Sequence, residues 1–328
     1  MNFVEAKTAF EKLFAHEMDD LQMRAFLLDM KLDESTSVEA IAAAASVMRS
    51  HAIALPVAKE LQPKLLDVVG TGGDKIGSFN ISSTVALLCA SAGAYVAKHG
   101  SRSVTSQSGS ADMFESLGVR LDLGIEQSAR LLEETGFTFM FAQNHHPAMK
   151  FIMPVRKSIS EKTIFNVLGP LTNPAGVRKT MLGVFDKSFV PKLAEALKIN
   201  ETTSALVVSS RESMDEISIS DITYAARLDE GGIKEFEIDP QVYGIKRAPL
   251  EAIVGGDAQV NAKILHNVFN GCAEEAQRDI VLINAAAALM VDGMARDIQD
   301  GLEIAREMIA SQRAKAKLEE IVKVSSKL

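Results

Sequence analysis

Residues 65–83 read Leu65-Leu-Asp-Val-Val-Gly-Thr-Gly-Gly-Asp74-Lys-Ile-Gly-Ser-Phe-Asn-Ile-Ser-Ser83. The stretch opens as a valine-containing apolar run that ends in glycine, the pattern of a strand buried on both faces that delivers the chain into a loop. In that loop Gly70, Gly72, Gly73 and Gly77 lack a Cβ, so main-chain N–H groups come close to any anion held there. Behind it Ser78, Asn80, Ser82 and Ser83 bring hydroxyls and an amide to the start of a helix, where unpaired N–H groups and the helix dipole also favour negative charge. The stretch predicts a phosphate cradle. It is not a Walker A loop, because no Lys-Ser/Thr follows the last glycine, and it lacks GxGxxG spacing. Glycines in a strand-to-helix turn also serve tight turning alone, so the weight falls on what surrounds them.

Outward from this strand, apolar runs of the same kind lie at 94–97, 137–141, 180–185 and 204–209, most of them separated by helical patterns. Strands alternating with helices predict a largely parallel sheet covered on both faces. Upstream, Phe10, Leu13 and Phe14, then Leu21, Met23, Phe26, Leu27 and Met30 recur at helical spacing. Asp19 with Gln22, and Thr36 with Glu39, have the spacing of capping boxes. A third helix runs through the alanine-rich 40–49, and Pro56 and Pro63 close the helical block. Downstream of Asp257 the chain is helical again, and Ile-Asn-Ala-Ala-Ala-Ala-Leu-Met-Val at 283–291 is apolar all round, as a buried helix requires. The expected fold class is α/β. A small N-terminal helical domain covers 1–66, and a larger α/β domain covers 67–328, with a central, mostly parallel sheet flanked by helices.

A chain of 328 residues suits two domains or one large α/β unit. With 47% apolar and 24% charged residues it is ordinary globular material, neither disordered nor fibrous. Cys89 and Cys272 show no CxxC spacing and read as reduced thiols rather than a disulfide or zinc framework. No signal-peptide core and no run of roughly 18 uncharged apolar residues is present, so a cytoplasmic protein is expected. The formal net charge of −8 argues against a polyanionic partner, which would need a local basic patch working against the global field. Small anions held by N–H groups and metal ions are unaffected by that count.

Three further segments carry chemistry. Lys98-His-Gly-Ser-Arg-Ser-Val-Thr-Ser-Gln-Ser-Gly-Ser-Ala-Asp112 follows the second apolar run. Lys98 and Arg102 are candidates to neutralise phosphate, and Ser108, Gly109 and Ser110 have the look of a second anion-binding turn. Two polar Gly-Ser loops at carboxyl ends of strands favour one ligand, because open α/β sheets bind at that edge. Met214-Asp-Glu216 places two acids side by side; on extended chain they point apart and suit two cations, with magnesium the natural partner of a pyrophosphate. The third spans Asn144-His-His-Pro-Ala-Met-Lys150, Pro154-Val-Arg-Lys157 and Phe165-Asn-Val-Leu-Gly-Pro-Leu-Thr-Asn-Pro174. His99, His145 and His146 lack zinc spacing, whereas Arg156 near apolar residues suits a small aromatic carboxylate.

Together GTGGD, the FNIS run, KHG-x-R-S, SGSAD, HPAMK to VR, FN-x-LGPLTNP, MDE and VL-x-NAAAAL follow one order along nearly the whole chain, and in this the sequence resembles the anthranilate phosphoribosyltransferase family. The resemblance implies transfer of the phosphoribosyl group of phosphoribosyl pyrophosphate to the amine of anthranilate, in tryptophan biosynthesis. It implies phosphoribosyl pyrophosphate along Gly70, Thr71, Gly72, Gly73 and Asp74, with Ser78, Asn80, Ile81, Ser82, Ser83, Lys98, His99, Gly100, Ser101 and Ser110. Anthranilate would meet Gly70, His99, Ser101, His146 and Arg156. Magnesium, two ions per subunit, would be held by Ser82, Asp215 and Glu216. Also implied are a homodimer through the helical domain and the return of part of 155–178 to that domain. Two positions depart from the family's usual residues: Ser101 stands where Asn is usual, and Gln107 where Lys is usual.

The implied reaction displaces pyrophosphate from an anomeric carbon. An aryl amine is already neutral at pH 7, so no strong side-chain base is required, and the sequence offers no convincing acid–base dyad; Lys98 is the expected electrostatic contributor. A nucleoside phosphorylase is an alternative on the same architecture, as is a nucleic-acid-binding relative without the reaction. The GTGGD and MDE pair speaks against the first, the acidic charge and Arg156 against the second.

Overall fold

The computed structural model describes residues 1–103 and 107–328; positions 104–106, inside the second polar loop, lie outside it. Three helices open the chain: α1 (Phe3–Phe14), α2 (Asp20–Asp29) and α3 (Val38–Ser50). Asp19 and Gln22 form the expected capping box on α2. The box expected from Thr36 and Glu39 does not form: Ser37 caps α3, accepting from Ala40 N–H, while the Thr36 hydroxyl accepts from Asp33 N–H. Serine and threonine compete for the same donors, and the one next to the first helical residue has won.

The chain then alternates β1 (Leu65–Gly70), α4 (Ile81–Ala92), β2 (Tyr95–Gly100), α5 (Ser110–Ser116), α6 (Ile125–Thr135) and β3 (Phe137–Phe141). Short helices α7 (Ala142–His145), α8 (Met149–Lys157) and α9 (Phe165–Leu168) lead to β4 (Lys179–Gly183), α10 (Val190–Ile199) and β5 (Ser204–Ser210). A hairpin, β6 (Thr223–Asp229) and β7 (Gly232–Ile238), and helices α11 (Ala258–Phe269), α12 (Glu275–Asp292), α13 (Ile298–Ala310) and α14 (Arg313–Ser325) complete it.

The seven strands form one sheet in the order β3-β2-β1-β4-β5-β6-β7, parallel from β3 to β5. The hairpin pairs antiparallel at one edge, an addition the sequence reading did not foresee. Its outer strand carries Lys234, Glu235 and Glu237, charges that hide a strand pattern while guarding an open edge. From β1 the chain steps one way to β2 and β3, then back across β1 to β4 and β5. The point of reversal lies between β1 and β4, where an open sheet leaves a crevice at the carboxyl ends of its strands.

Side chains alternate across the sheet. Leu66, Val68, Val96, Leu206 and Val208 join one core with α4 and α11–α14. Leu182, Val184, Ala205, Val207, Ala226 and Leu228 face the other way and join α10 and the N-terminal helices, with Phe10, Leu27 and Ile41. Ile152, Val155, Ile164, Phe165 and Val167 pack into that second core.

Candidate active site

Gly70 ends β1 and Gly183, its register partner, ends β4. Thr71 N–H donates to Gly183 O at 3.0 Å, and Thr71 Oγ1 accepts from Phe185 N–H at 3.3 Å, so the glycine loop begins stitched to the neighbouring strand. Residues 215 and 216 form a bend that crosses directly above these two glycines. A Cβ on Gly183 would stand 1.6 Å from Asp215 O, and one on Gly70 2.3 Å from Asp215 Oδ2. Absence of a side chain at both strand ends is therefore what lets the acid pair reach the loop. Gly72 and Gly73 then turn with φ of +67° and +79°, a region that L side chains rarely adopt, and Gly72 N–H donates to Asp215 Oδ2 at 2.7 Å.

Because the acid pair sits in a bend and not on extended chain, its two carboxylates do not point to opposite sides of a strand, as alternation would have required. Both serve one cleft. The Ser82 N–H at the first turn of α4 acts on the Glu216 carboxylate, and Ser82 Oγ lies 3.4 Å from Lys98 Nζ, which also donates to Val68 O at 2.6 Å. Desolvation, reinforced by the Asp74 carboxylate, pushes Asp215 up to about 7. Glu216 is raised well above the usual carboxylate range by burial and then by Asp215. Burial pulls the Lys98 ammonium down, against the opposite pull of Asp67, Glu216 and Asp215. Three carboxylates thus surround one ammonium in a water-poor place, an arrangement that lacks positive charge. Among the described residues no group of three or more His, Cys, Asp and Glu offers a complete metal cage. Oxygen donors in an incomplete set fit magnesium, which keeps waters and ligand phosphates, and do not fit zinc.

The second polar loop meets the first through Asn80. Asn80 Nδ2 donates to Ser108 O at 3.3 Å, and Asn80 Oδ1 accepts from Ser108 Oγ at 3.3 Å and from Asn261 Nδ2 at 2.8 Å. In this loop one carboxylate already takes two of the main-chain donors. Ser103 N–H and Gly109 N–H both donate to Asp112 Oδ2, so the loop already holds a carboxylate of its own. Nor does Arg102 stand open for phosphate: its guanidinium pairs with Asp112 and Glu115, each at 2.8 Å. Ser101 O accepts from Ser110 Oγ and Ala111 N–H, both at 3.3 Å, and Gly100 leaves the room that Ser110 Oγ fills. Ile81 is buried in the core and its N–H donates to Phe79 O, which leaves no polar group of that residue to face a ligand except its carbonyl. Ser83 Oγ is buried with no partner, and Ser78 bridges to Val254 through the main chain. Gln107 is exposed.

Beside Lys98, His99 and His146 are buried with ring centroids 5.1 Å apart. Burial drives both down, His99 to about 3 with help from the neighbouring histidines and His146 to about 4, so both rings are neutral at pH 7. The Nε2 atom of each is buried without a partner among the described residues. His145 faces away: its Nδ1 and carbonyl bond the Ile53 main chain at 2.7 and 2.8 Å, joining the helical block to the sheet edge. Arg156, on α8, lies over the Phe165 ring at 5.8 Å and has no carboxylate partner among the described residues. It makes no hydrogen bond or ring contact with either histidine there.

Several residues at this edge escaped the sequence reading. Asp67 is buried in β1, accepting from Asn173 Nδ2 at 2.7 Å and from His99 N–H at 3.4 Å, and burial raises it to about 6. Asn173 also donates to Ala97 O at 2.8 Å. The acid preceding Val-Val-Gly and the Asn of the LTNP segment were both on view in the sequence, but nothing local joins them. Asn261 and Gly183 carry no sequence signal.

The family model described as "Glycosyl transferase family, a/b domain" matches residues 62–315. The chain is 48% identical over 324 residues to an anthranilate phosphoribosyltransferase of Xanthobacter autotrophicus, covering 99% of this chain and 92% of that protein. It is 42% identical to the enzyme of the same name from Methanobrevibacter smithii, covering 99% and 96%. Among solved structures, anthranilate phosphoribosyltransferase from Thermus thermophilus superposes with a TM-score of 0.92 at 36% identity, covering 99% of this chain and 96% of that one. The Saccharomyces cerevisiae enzyme in complex with PRPP and Mg superposes with a TM-score of 0.89 at 26% identity, covering 100% and 94%.

Proposed function

The chain belongs to the anthranilate phosphoribosyltransferase family, and from that premise we propose how its own residues divide the work of the transfer. The reaction joins the amine of anthranilate to the anomeric carbon of phosphoribosyl pyrophosphate and releases pyrophosphate, a step of tryptophan biosynthesis. The phosphorylase and nucleic-acid-binding alternatives are set aside on the family match.

Phosphoribosyl pyrophosphate lies along the loop from Gly70 to Asp74, its phosphates met by main-chain N–H groups and by Ser78, Asn80, Ser82 and Ser83. His99, Gly100, Ser101 and Ser110 border it from β2 and the following loop. Ser82, Asp215 and Glu216 would hold magnesium, whose chemistry when bound is to offset negative charge on the departing pyrophosphate. Two ions per subunit fit a carboxylate pair in which Asp215 leans on Gly72 N–H and Glu216 on Ser82 N–H. Support also comes from the yeast relative solved with PRPP and Mg.

Anthranilate enters along a channel lined by the neutral rings of His99 and His146, with Gly70 and Ser101 at the sugar side and Arg156 for its carboxylate. Yeast anthranilate phosphoribosyltransferase has been solved with 4-fluoroanthranilate. The amine nitrogen forms its bond as the carbon–oxygen bond to pyrophosphate breaks, and the nitrogen loses its proton to solvent or to the leaving phosphate. No side-chain base takes part. Lys98, fixed by Val68 O, and the loop N–H groups stabilise the charge that develops on the leaving oxygen.

The observation that carries this reading is the 2.7 Å hydrogen bond from Gly72 N–H to Asp215 Oδ2, because it joins the glycine loop and the acid pair in one cleft. The decisive assay follows anthranilate fluorescence in mixtures of protein, phosphoribosyl pyrophosphate and magnesium, each omitted in turn. Loss of signal only in the complete mixture is expected; persistence of the signal there overturns the reading.

We also divide the chain at 66/67, with part of 155–178 returning to the helical domain, which is supported by Ile152, Val155 and Ile164 sharing a core with Phe10 and Leu27. A homodimer through the helical domain is supported by exposed Val4, Leu21 and Phe151 on α1, α2 and α8. A cytoplasmic location is supported by an exposed, unpaired Cys272, a thiol suited to a reducing compartment. No helix of the described residues is long and apolar enough to cross a membrane.

A further inference from the structure

Lys162 stands between the helical block and the glycine loop. Its main chain belongs to the helices: Lys162 O accepts from Leu32 N–H at 2.9 Å, the next residue bridges Lys31, and Ile164 N–H donates to Met30 O at 2.9 Å. Its side chain crosses to the sheet. The ammonium sits 3.2 Å from the centroid of the Phe185 ring, and Phe185 N–H is the donor that holds Thr71 Oγ1. The charged groups that act on it are Asp186, Asp74 and Lys75, the last two within the glycine loop. Among the described residues Lys162 Nζ has no carboxylate partner within ion-pair distance and no hydrogen bond.

A lysine with three donors and a flexible stem ordinarily spends them on water, carboxylates or carbonyls. Parked on an aromatic face beside a loop built for phosphate, it has an obvious stronger partner. Cation–π contacts at partly exposed sites are worth only about 0.5–1 kcal/mol, and charge-assisted bonds to phosphate exceed that.

We propose that Lys162 is a pyrophosphate-binding residue contributed by the helical block, leaving the Phe185 ring to bond the diphosphate when substrate fills the loop. The inference rests on the placement of phosphoribosyl pyrophosphate in this cleft. It adds a cation near the loop that comes from the helical block, so substrate binding draws the two sides together.

The test uses the full chain with Lys162→Met, which keeps the apolar stem on Phe185 and removes the charge, and Lys162→Arg, which keeps the charge. Steady-state kinetics should show the KM for phosphoribosyl pyrophosphate raised about tenfold or more in Lys162→Met, with the KM for anthranilate changed less than about twofold. Lys162→Arg should recover most of the loss. Calorimetric titration with inorganic pyrophosphate and magnesium, which needs no turnover, should show the same weakening. Unchanged substrate KM and pyrophosphate affinity in Lys162→Met overturn the inference, as does a loss confined to the anthranilate KM. Wild-type protein that binds pyrophosphate in a Lys162-dependent way without transferring the sugar would leave this inference standing and sink the catalytic reading instead.

Discussion

At the scale of single residues, the acid pair illustrates how function opposes stability. Asp215 and Glu216 are held beside one another and beside Asp74, and their raised pKa values mean that their charges are unwelcome in the fold. Asp215→Asn with Glu216→Gln should therefore cut turnover by at least about a hundredfold while leaving the thermal midpoint equal to or above that of the wild type. A variant that keeps near-normal turnover at saturating magnesium would remove the metal-binding role from these acids. The histidines act with the opposite sign. His146 prefers neutrality in the fold and titrates about 4 there against 6.5 in a model peptide, so acid favours the unfolded chain. Its contribution is complete above pH 6.5 and falls away as pH drops through about 4, a loss of about 3 kcal/mol. Denaturant unfolding should show the stability advantage of wild type over His146→Gln shrinking by that order between pH 7 and 4. NMR of the rings should find His99 and His146 neutral at pH 5.

At the scale of elements, close approach of backbones decides both the site and the core, and two glycines separate the effects. Gly183 ends β4 under the Asp215 carbonyl, where a methyl would lie 1.6 Å from that oxygen. Gly183→Ala must push the acid bend off the loop, and we expect kcat/KM for phosphoribosyl pyrophosphate to fall by more than about tenfold, as small displacements of catalytic groups do. Gly301 lies on α13 against α12, where a Cβ would meet Ala286 O at 2.5 Å and Ala286 Cα at 2.8 Å. Gly301→Ala overpacks a helix pair remote from the cleft, so it should cost about 1–3 kcal/mol of stability with both KM values intact. Equal effects of the two substitutions on kcat/KM would refute the claim that Gly183 is kept for the acid bend.

At the scale of the whole molecule, the sheet reverses its winding between β1 and β4, and the shared direction of the parallel strands puts the loops that follow β1 and β2 at one edge. The helical block packs on the other core, through α10, and reaches the same edge with Ile53, which bonds His145, and with Lys162. Its outward face leaves Leu21 80% and Val4 72% exposed. If the proposed dimer forms through this face, Leu21→Glu with Val4→Glu should give a monomer by light scattering while a folded chain remains. A wild-type protein that is already monomeric at micromolar concentration would end the dimer proposal.

The order of motifs determined the family resemblance, and strand–helix alternation determined the α/β class, because both are local patterns of apolar periodicity and glycine placement. The glycine turn after β1 was legible for the same reason. The Asp19–Gln22 cap was legible too, whereas Thr36 lost its helix to Ser37 one residue on, a choice that spacing alone does not fix. The β6–β7 hairpin was masked by its charged edge. Only the tertiary structure decided that Arg102 is taken up by Asp112 and Glu115 and Gly109 N–H by Asp112, that Asn261 braces Asn80 from 181 positions away, and that Gly183 makes room for Asp215. Those relations join residues far apart in the chain, and a charge or a glycine carries no mark of the partner that folding brings to it.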